Sequence, residues 1–280
     1  MLLLGTLTLW AAITTPADPL HASATPPAPP PAAPSPAAPD ALPGPAKRPA
    51  GPVEAFPHVR VDLAARRVEF DATVEARPLD PETPLVFLEV IACTPNTREH
   101  EALVLSRARA EHVHAALLLL GLTPGAPGSV AQRPSGIART PPSGPALAVT
   151  FEWAAPDGSR SSAPPSAWIR DKATGHRPAM NPGDFVFAGS KTATSTDPTS
   201  GAAVTYYAAQ AAGTLIGLTT FGDEAVAWRT VLSPETALDT PVWIADPATT
   251  PPPGTPVVVA IRPLDPPNAP AAPASGPPPS

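Results

Sequence analysis

The stretch ACTPNTREHEALVLSRARAEHVHAALLLLGLTPG, from Ala92 to Gly125, is the main basis for predicting the fold from the sequence. Its second half, from about Ala108 to Leu120, is rich in Ala and Leu, and Gly121 suits the left-handed residue that ends a helix. The helix has an apolar stripe wide enough to lie on a sheet, formed by Val113, Ala116, Leu117 and Leu120. The whole stretch also contains the chain's single cysteine, three of its six histidines and three glutamates, so it is the first candidate for a functional site.

The segments on both sides of this stretch have the pattern of strands. Residues 58–76, HVRVDLAARRVEFDATVEA, alternate apolar and polar side chains with period two, which predicts a hairpin, and PLVFLEVIAC at 84–93 is apolar enough for a central strand. Further short strands are predicted at 102–108, 146–153, 166–170, 184–190, 204–209, 214–221 and 256–263. Turn sequences separate them. The predicted fold class is therefore α+β, a mainly antiparallel β-sheet with one packed helix.

The prolines define the domain boundaries. The chain has 46 prolines among 280 residues, and twelve of them lie in the 29 residues from Thr25 to Val53. Proline fixes φ and lacks a backbone donor, so such runs favour extended spacers over helices or central strands. We therefore predict disordered Pro-rich segments at 25–55 and 264–280, which flank one folded domain at 56–263.

The N-terminus predicts export. The apolar run Leu2–Ile13 has the length of a signal-peptide core and is shorter than the ~20 residues of a membrane-spanning helix. Ala22-Ser23-Ala24 then supplies an A-x-A cleavage pattern. We predict a signal peptide at 1–24, a periplasmic or cell-envelope location and no membrane span after cleavage. The alternative is an apolar N-terminus that stays attached as an anchor.

The net charge of −6 and the lack of any basic run argue against a nucleic-acid partner. A lone cysteine, Cys93, cannot form an intramolecular disulfide. It lies in an apolar run, which favours a buried thiol, although a redox role and a Cys93–His100 catalytic pair are alternatives. One cysteine also excludes a cysteine-rich zinc or iron–sulfur site within the chain.

The run TREHE raises the question of a metal site. His and carboxylate groups are good ligands for zinc, and the candidates are Glu99, His100, Glu101, His112 and His114. However, His112 and His114 are two residues apart, about 200° around a helix, so they cannot both reach one ion. A site would need His100, one helix histidine and a distant partner such as Asp171 or His176.

A polar binding surface is the simpler interpretation of the same residues. Glu99, His100 and Glu101 lie in a predicted loop, where binding residues are often found. A second polar segment, WIRDKATGHRPAM, contains Arg170 and Asp171 and offers a possible anion site. These five residues are the candidate binding residues, and no catalytic residue, metal ligand or cofactor is assigned.

Several segments together resemble one family of bacterial proteins. They are FPHVRVDLAARRVEFDATV (56–74), LEVIACTPNTREHEALVLSRARAEHVHAALLLLGLTPGAP (88–127), AWIRDKATGHRPAM (167–180), DFVFAGSK (184–191), TLIGLTTFGDEAV (214–226) and GTPVVVAIRP (254–263). In this order they resemble the YdjY-domain family of exported proteins over about Phe56 to Pro263. The chain departs from the family pattern at Arg98, where Lys is expected, and at Thr220, where Asn usually precedes the phenylalanine. The resemblance implies no particular activity.

Two functions of different classes remain open. The first hypothesis is a non-enzymatic binding or structural module of the cell envelope, with an envelope or extracellular ligand that the sequence does not identify. The alternative is a metal-dependent enzyme or metal-binding protein centred on His100, Glu101 and a helix histidine.

Overall fold

A computed structural model describes residues 51–264 of the chain, and this part is predominantly β-structure. Its strands are β1 Val53–Phe56, β2 Val59–Asp62, β3 Arg67–Val74, β4 Val90–Cys93, β5 Ala102–Leu105, β6 Ser129–Arg133, β7 Gly136–Thr140, β8 Ala146–Ala154, β9 Arg160–Ala163, β10 Ile169–Asp171, β11 Phe185–Phe187, β12 Thr192–Thr196, β13 Ala203–Tyr207, β14 Thr214–Gly217, β15 Val226–Trp228, β16 Trp243–Ala245 and β17 Pro256–Pro263. Its α-helices are α1 Ala110–Leu119 and α2 Ala208–Ala212. Short 3-10 turns lie at Arg77–Leu79, Glu99–Glu101 and Pro165–Trp168.

Eight strands of the described range close into a barrel, in the order β3, β17, β8, β11, β15, β14, β4 and β5. The barrel closes because β5 pairs with β3, with Thr73 opposite Leu105 and Val74 opposite Val104. The longest ladders join β17 to both β3 and β8. Closure pairs both edges of these eight strands, so the barrel itself offers no free edge.

The prediction of an α+β fold, with a mainly antiparallel sheet and one packed helix, is wrong. The protein is mostly β, a closed eight-stranded barrel with additional strands, and its described helices have ten and five residues. Local periodicity identifies most strands but carries no information about which distant strands pair. Closure depends on the β3–β5 contact between segments about 30 residues apart, which no local pattern indicates.

Two of the barrel pairs are parallel, and each is made by an unusually short connection. β4 pairs with β5, and β14 pairs with β15, both in parallel. Residues 94–101 connect the first pair and residues 218–225 the second, eight residues in each case. Parallel neighbours usually need a crossover of about a dozen residues or more, commonly a helix. We call these two loops the crossover pair.

The interior of the barrel is filled with apolar side chains, and α1 adds a second apolar layer. The largest fully buried side chains include Trp168, Phe70, Phe151, Phe187 and Ile261. The apolar stripe predicted for α1 is confirmed: Val113, Ala116, Leu117 and Leu120 are buried, and α1 packs against β2 and β3. Gly121, with a φ of 79°, ends the helix as predicted.

The predicted terminal segments lie almost wholly outside the described residues. The signal peptide at 1–24, most of the linker at 25–55 and the tail after Leu264 belong to this part of the chain. The first described strand, β1, begins at Val53, three residues before the predicted domain start at Phe56. Within residues 51–264, no helix has the length and apolar character needed to cross a membrane.

Candidate functional site

Each loop of the crossover pair is held by a glutamate that binds the backbone of its own loop. In the first loop, Glu99 Oε2 accepts a hydrogen bond of 2.7 Å from the Thr97 N–H. In the second, Glu224 Oε1 accepts from the N–H groups of Phe221 and Gly222. The N–H groups of Glu99 itself and of Thr97 lower the pKa of the Glu99 carboxyl, since they stabilise its charged form. These carboxylates accept hydrogen bonds from loop N–H groups, which in a longer parallel crossover are commonly satisfied within a helix.

Arg98 joins the two loops. Its guanidinium lies 3.4 Å from the centre of the Phe221 ring, a cation–π contact. Its Nη2 is 4.0 Å from Asp223 Oδ2, so the pair attracts without an ordinary hydrogen bond. Burial raises the pKa of Asp223, and the charge of Arg98 opposes that rise. Among the described residues, buried Arg98 Nη1, Asp223 Oδ1 and Thr214 Oγ1 lack hydrogen-bond partners.

A pair of carboxyl groups lies beside Arg98. Val90 and Ala102 are opposite each other in the parallel β4–β5 pair, so Glu89 and Glu101 are neighbours one position earlier. The Glu89 N–H donates to the Glu101 carbonyl at 3.0 Å. Burial raises the pKa of Glu89 to about 7, and the hydrogen bond and charge of Glu101 add to the effect. The pair therefore holds a proton near neutral pH.

The three histidines of the opening stretch do not come together. His100 is half exposed, and its Nε2 lies 3.4 Å from Glu101 Oε1. His112 stacks on Phe56, with ring centres 5.2 Å apart. His114 instead contacts Phe187 and Tyr207. Within residues 51–264 no group of three His, Cys, Asp or Glu side chains is arranged to hold a metal ion. The proposed grouping of His100 with a helix histidine therefore has no geometric basis in the described structure.

Cys93 lies beneath the first crossover loop and is completely buried. Burial raises the pKa of its thiol to about 11, because the apolar surroundings disfavour the thiolate. A thiol of this kind is a poor nucleophile at neutral pH, since the thiolate is the reactive form. The interpretation of Cys93 as a buried thiol agrees with this geometry.

The second candidate segment has a local structural role. Asp171 Oδ1 accepts hydrogen bonds from the N–H groups of Ala173 and Thr174, at 2.8 and 2.7 Å, which fixes the turn after β10. Arg170 Nε lies 3.7 Å from Asp246 Oδ1. No contact joins Arg170 or Asp171 to the Glu99–Glu101 turn among the interactions of the described residues. The five predicted binding residues thus lie in two separate places.

A pocket that the sequence did not indicate lies next to the crossover pair. It has a volume of about 470 Å³, and we call it the Lys191 pocket. Its lining comprises Glu111, His114, Gly189, Ser190, Lys191, Thr192 and Tyr207. These residues come from α1, from the loop between β11 and β12, and from β12 and β13. Two of the family-like segments, the helix and DFVFAGSK, meet here, and their individual patterns gave no sign of this contact.

A chain of hydrogen bonds fixes the wall of the pocket formed by His114. The Tyr207 hydroxyl donates to the Gly189 carbonyl at 3.1 Å, and His114 Nδ1 lies 2.9 Å from the same hydroxyl. Burial lowers the pKa of His114, because the surroundings disfavour the imidazolium, and the nearby Gly189 backbone opposes this effect. Burial also raises the pKa of Tyr207. Both rings are therefore neutral at neutral pH.

Ser190 connects the pocket to the second crossover loop. Its hydroxyl donates to the Asp223 carbonyl at 2.6 Å and accepts from the Ala209 N–H at 3.0 Å. Its own N–H donates to the Glu224 carbonyl at 2.9 Å. Ser190 has a φ of 57°, an unfavourable conformation for a residue with a side chain. Such strain persists only where surrounding contacts impose it, and it is concentrated at binding sites.

Comparison with known protein families identifies the family of the chain. The model of the YdjY domain matches residues 59–262. The chain belongs to the YdjY domain family. The match includes β2 and the eight barrel strands except the last residue of β17, so the crossover pair and the Lys191 pocket are both parts of the YdjY domain. Searches of curated proteins and of solved structures found no match.

Proposed function

We propose that this YdjY domain is a non-enzymatic binding module of the cell envelope, which takes a small polar ligand in the Lys191 pocket. One observation carries the proposal: the pocket contains polar groups that have no partner among the described residues, on a hydrogen-bonded framework. Lys191 forms no ion pair within 4 Å in that part of the chain. His114 uses Nδ1 for its contact of 2.9 Å with the Tyr207 hydroxyl.

A binding role is favoured over a catalytic one because the carboxyl groups and the thiol with altered pKa support the crossover loops or are buried beneath them. Glu99 and Glu224 bind the backbone of their own crossover loops, and Cys93 is buried beneath one of them. None of these groups lines the Lys191 pocket. Preformed pockets of about 300–1,000 Å³ with a few placed polar groups are typical of small-molecule sites.

The cell-envelope location rests on the N-terminal sequence. An apolar run followed by Ala22-Ser23-Ala24 favours export and cleavage. Mass spectrometry of the protein recovered from the envelope fraction tests this directly. A mature N-terminus at Thr25 is expected, and an intact Met1 in a cytoplasmic fraction would contradict export.

Binding is tested by thermal unfolding of the full chain with a panel of probes at about 10 mM: acetate, glucose, glucosamine and glucuronate. A probe with a Kd of about 1 mM raises the free energy of unfolding by about 1.4 kcal/mol, or about 3–6 °C in Tm for a domain of this size. The rise should be lost in Lys191→Met and kept in Lys172→Met, the matched control outside the pocket. If no probe shifts the wild type, the proposed function is wrong.

A further inference from the structure

We propose that the ligand of the Lys191 pocket is a polyhydroxylated carboxylate, such as a sugar acid, whose carboxylate pairs with Lys191 while a ligand hydroxyl donates to His114 Nε2. The inference rests on the proposed function and names the ligand class for the same site. It follows from the donor and acceptor roles that the pocket geometry fixes.

The tautomer of His114 follows from the hydrogen bonds around Tyr207. The tyrosine has one hydroxyl proton, and it is donated to the Gly189 carbonyl at 3.1 Å. We therefore assign the proton of the neutral His114 ring to Nδ1, which lies 2.9 Å from that hydroxyl. The neutral ring then carries a lone pair on Nε2. A pocket wall with an imidazole acceptor accepts a hydrogen bond from a ligand, so the ligand must bring an O–H or N–H group.

Lys191 supplies a positively charged hydrogen-bond donor, in contrast to the acceptor on His114. Its Nζ lies near Gly222, at 3.6 Å from the position that a β-carbon would take on that residue. It is close enough to Asp223 to favour that carboxylate, yet no ion pair within 4 Å forms between them. The other charged residue of the lining, Glu111, is already paired with Arg109 at 2.8 Å. Lys191 is therefore the charged group of the lining that has no ion pair within 4 Å among the described residues, and its ammonium favours an anionic ligand group.

The remaining groups of the lining favour further ligand hydroxyls. The Thr192 side chain has no hydrogen-bond partner among the described residues and can donate or accept. The Glu111 carboxylate keeps acceptor capacity beyond its contact with Arg109. A volume of about 470 Å³ accommodates a molecule of monosaccharide size. A carboxylate with several hydroxyl groups satisfies Lys191, His114 and Thr192 together, whereas a plain sugar leaves the ammonium unpaired and acetate leaves the imidazole unpaired.

The test compares three probes that separate these features: glucuronate, glucose and acetate. Their Kd values are measured by calorimetry on the full chain at about pH 7.5, for the wild type, Lys191→Met, Lys191→Arg, His114→Phe and Lys172→Met. Glucuronate should bind the wild type at least about tenfold more tightly than glucose or acetate. Lys191→Met should remove the preference over glucose, Lys191→Arg should restore part of it, and Lys172→Met should leave it unchanged.

His114→Phe keeps an aromatic ring against Phe187 and should weaken glucuronate by about tenfold while leaving acetate unchanged. Circular dichroism of each variant establishes that it is folded, and the Lys191 variants alone suffice if His114→Phe is not. Equal affinities for glucuronate and glucose, or unchanged glucuronate binding in Lys191→Met, would overturn the ligand class while leaving a binding function in place. Absence of binding by every probe would instead overturn the proposed function, and with it this inference.

Discussion

Replacement of Glu89 by glutamine should remove a pH dependence of stability that the carboxyl pair imposes on the fold. Burial raises the pKa of Glu89 from 4.5 to about 7, and neighbouring Glu101 adds to this. The folded protein therefore binds the proton more tightly than the unfolded chain. This contribution to stability is complete below pH 4.5, decreases as the pH rises and is lost above about pH 7.

The size of the effect follows from the change in pKa. A difference of about 2.5 between the two pKa values corresponds to at most about 3.4 kcal/mol. Glu89 is only half buried, so solvent screening reduces this to about 1–2 kcal/mol. The amide of the Glu89→Gln variant stays neutral at every pH and keeps a donor for Glu101. We expect the variant to match the wild type near pH 5 and to be about 1–2 kcal/mol more stable near pH 8.

Urea unfolding monitored by tryptophan fluorescence at about pH 5, 6, 7 and 8 measures this difference. Other groups, among them Asp223 and His114, also contribute to the pH dependence of the wild type, so the relevant quantity is the variant minus the wild type at each pH. Glu82→Gln is the matched control because Glu82 is exposed, and it should give a difference near zero throughout. The reasoning fails if the Glu89→Gln difference does not change with pH, or if the variant is less stable near pH 8.

Three further outcomes test the packing around the crossover pair. The thiol of Cys93 should react with a maleimide in the native protein at less than about one tenth of its rate in the urea-unfolded chain, and equal rates would refute its burial. Ser190→Ala should lower the free energy of unfolding by about 1–3 kcal/mol, because two hydrogen bonds lose their partner. Replacement of the exposed Ser195 by Ala should change the free energy of unfolding by less than about 0.5 kcal/mol. Equal losses in the two variants would contradict the anchoring role of Ser190. Gly213→Ala should lower the free energy of unfolding in urea by about 1–3 kcal/mol more than Gly158→Ala. Both glycines have a φ near +75° to +80°, so the backbone strain is the same. A β-carbon at Gly213 would lie 2.4 Å from a threonine of the first crossover loop, whereas one at Gly158 would meet open space. Equal costs would show that this close approach does not constrain the loop.

Much of the local structure could be predicted from the sequence. The hairpin of β2 and β3, the helix around Val113 and the last strand, Pro256–Pro263, lie close to the predicted positions because their periodicity and end signals are strong. The sequence pattern predicts neither strand of the exposed β6–β7 hairpin and only β13 of the exposed β12–β13 hairpin. Their strands are exposed on both faces, so the apolar alternation that marks a half-buried strand is weak.

The candidate site was only partly predictable, for a related reason. TREHE was correctly identified as a polar loop, but its partners Phe221 and Asp223 lie more than a hundred residues further along the chain. No spacing rule connects them, since the contact arises from the antiparallel pairing of β4 with β14. Lys191 and Tyr207 belong to segments that the sequence presents as separate. Asp171 fixes a turn and Arg170 lies near Asp246, and neither contact could be predicted from the charges of the segment alone.

The geometry of the two crossovers explains why a polar site should form at this point of the barrel. A parallel pair joined by eight residues cannot cover its connection with a helix, so the backbone N–H groups of the loop need other acceptors. Glu99 and Glu224 fill that role in the two loops. The second loop also contains Asp223, whose carboxylate attracts Arg98 and the nearby Lys191. The carbonyl groups of the second loop also accept hydrogen bonds from Ser190, and the next residue, Lys191, lines the pocket. The proposed binding site is thus a consequence of how the barrel makes its parallel pairs.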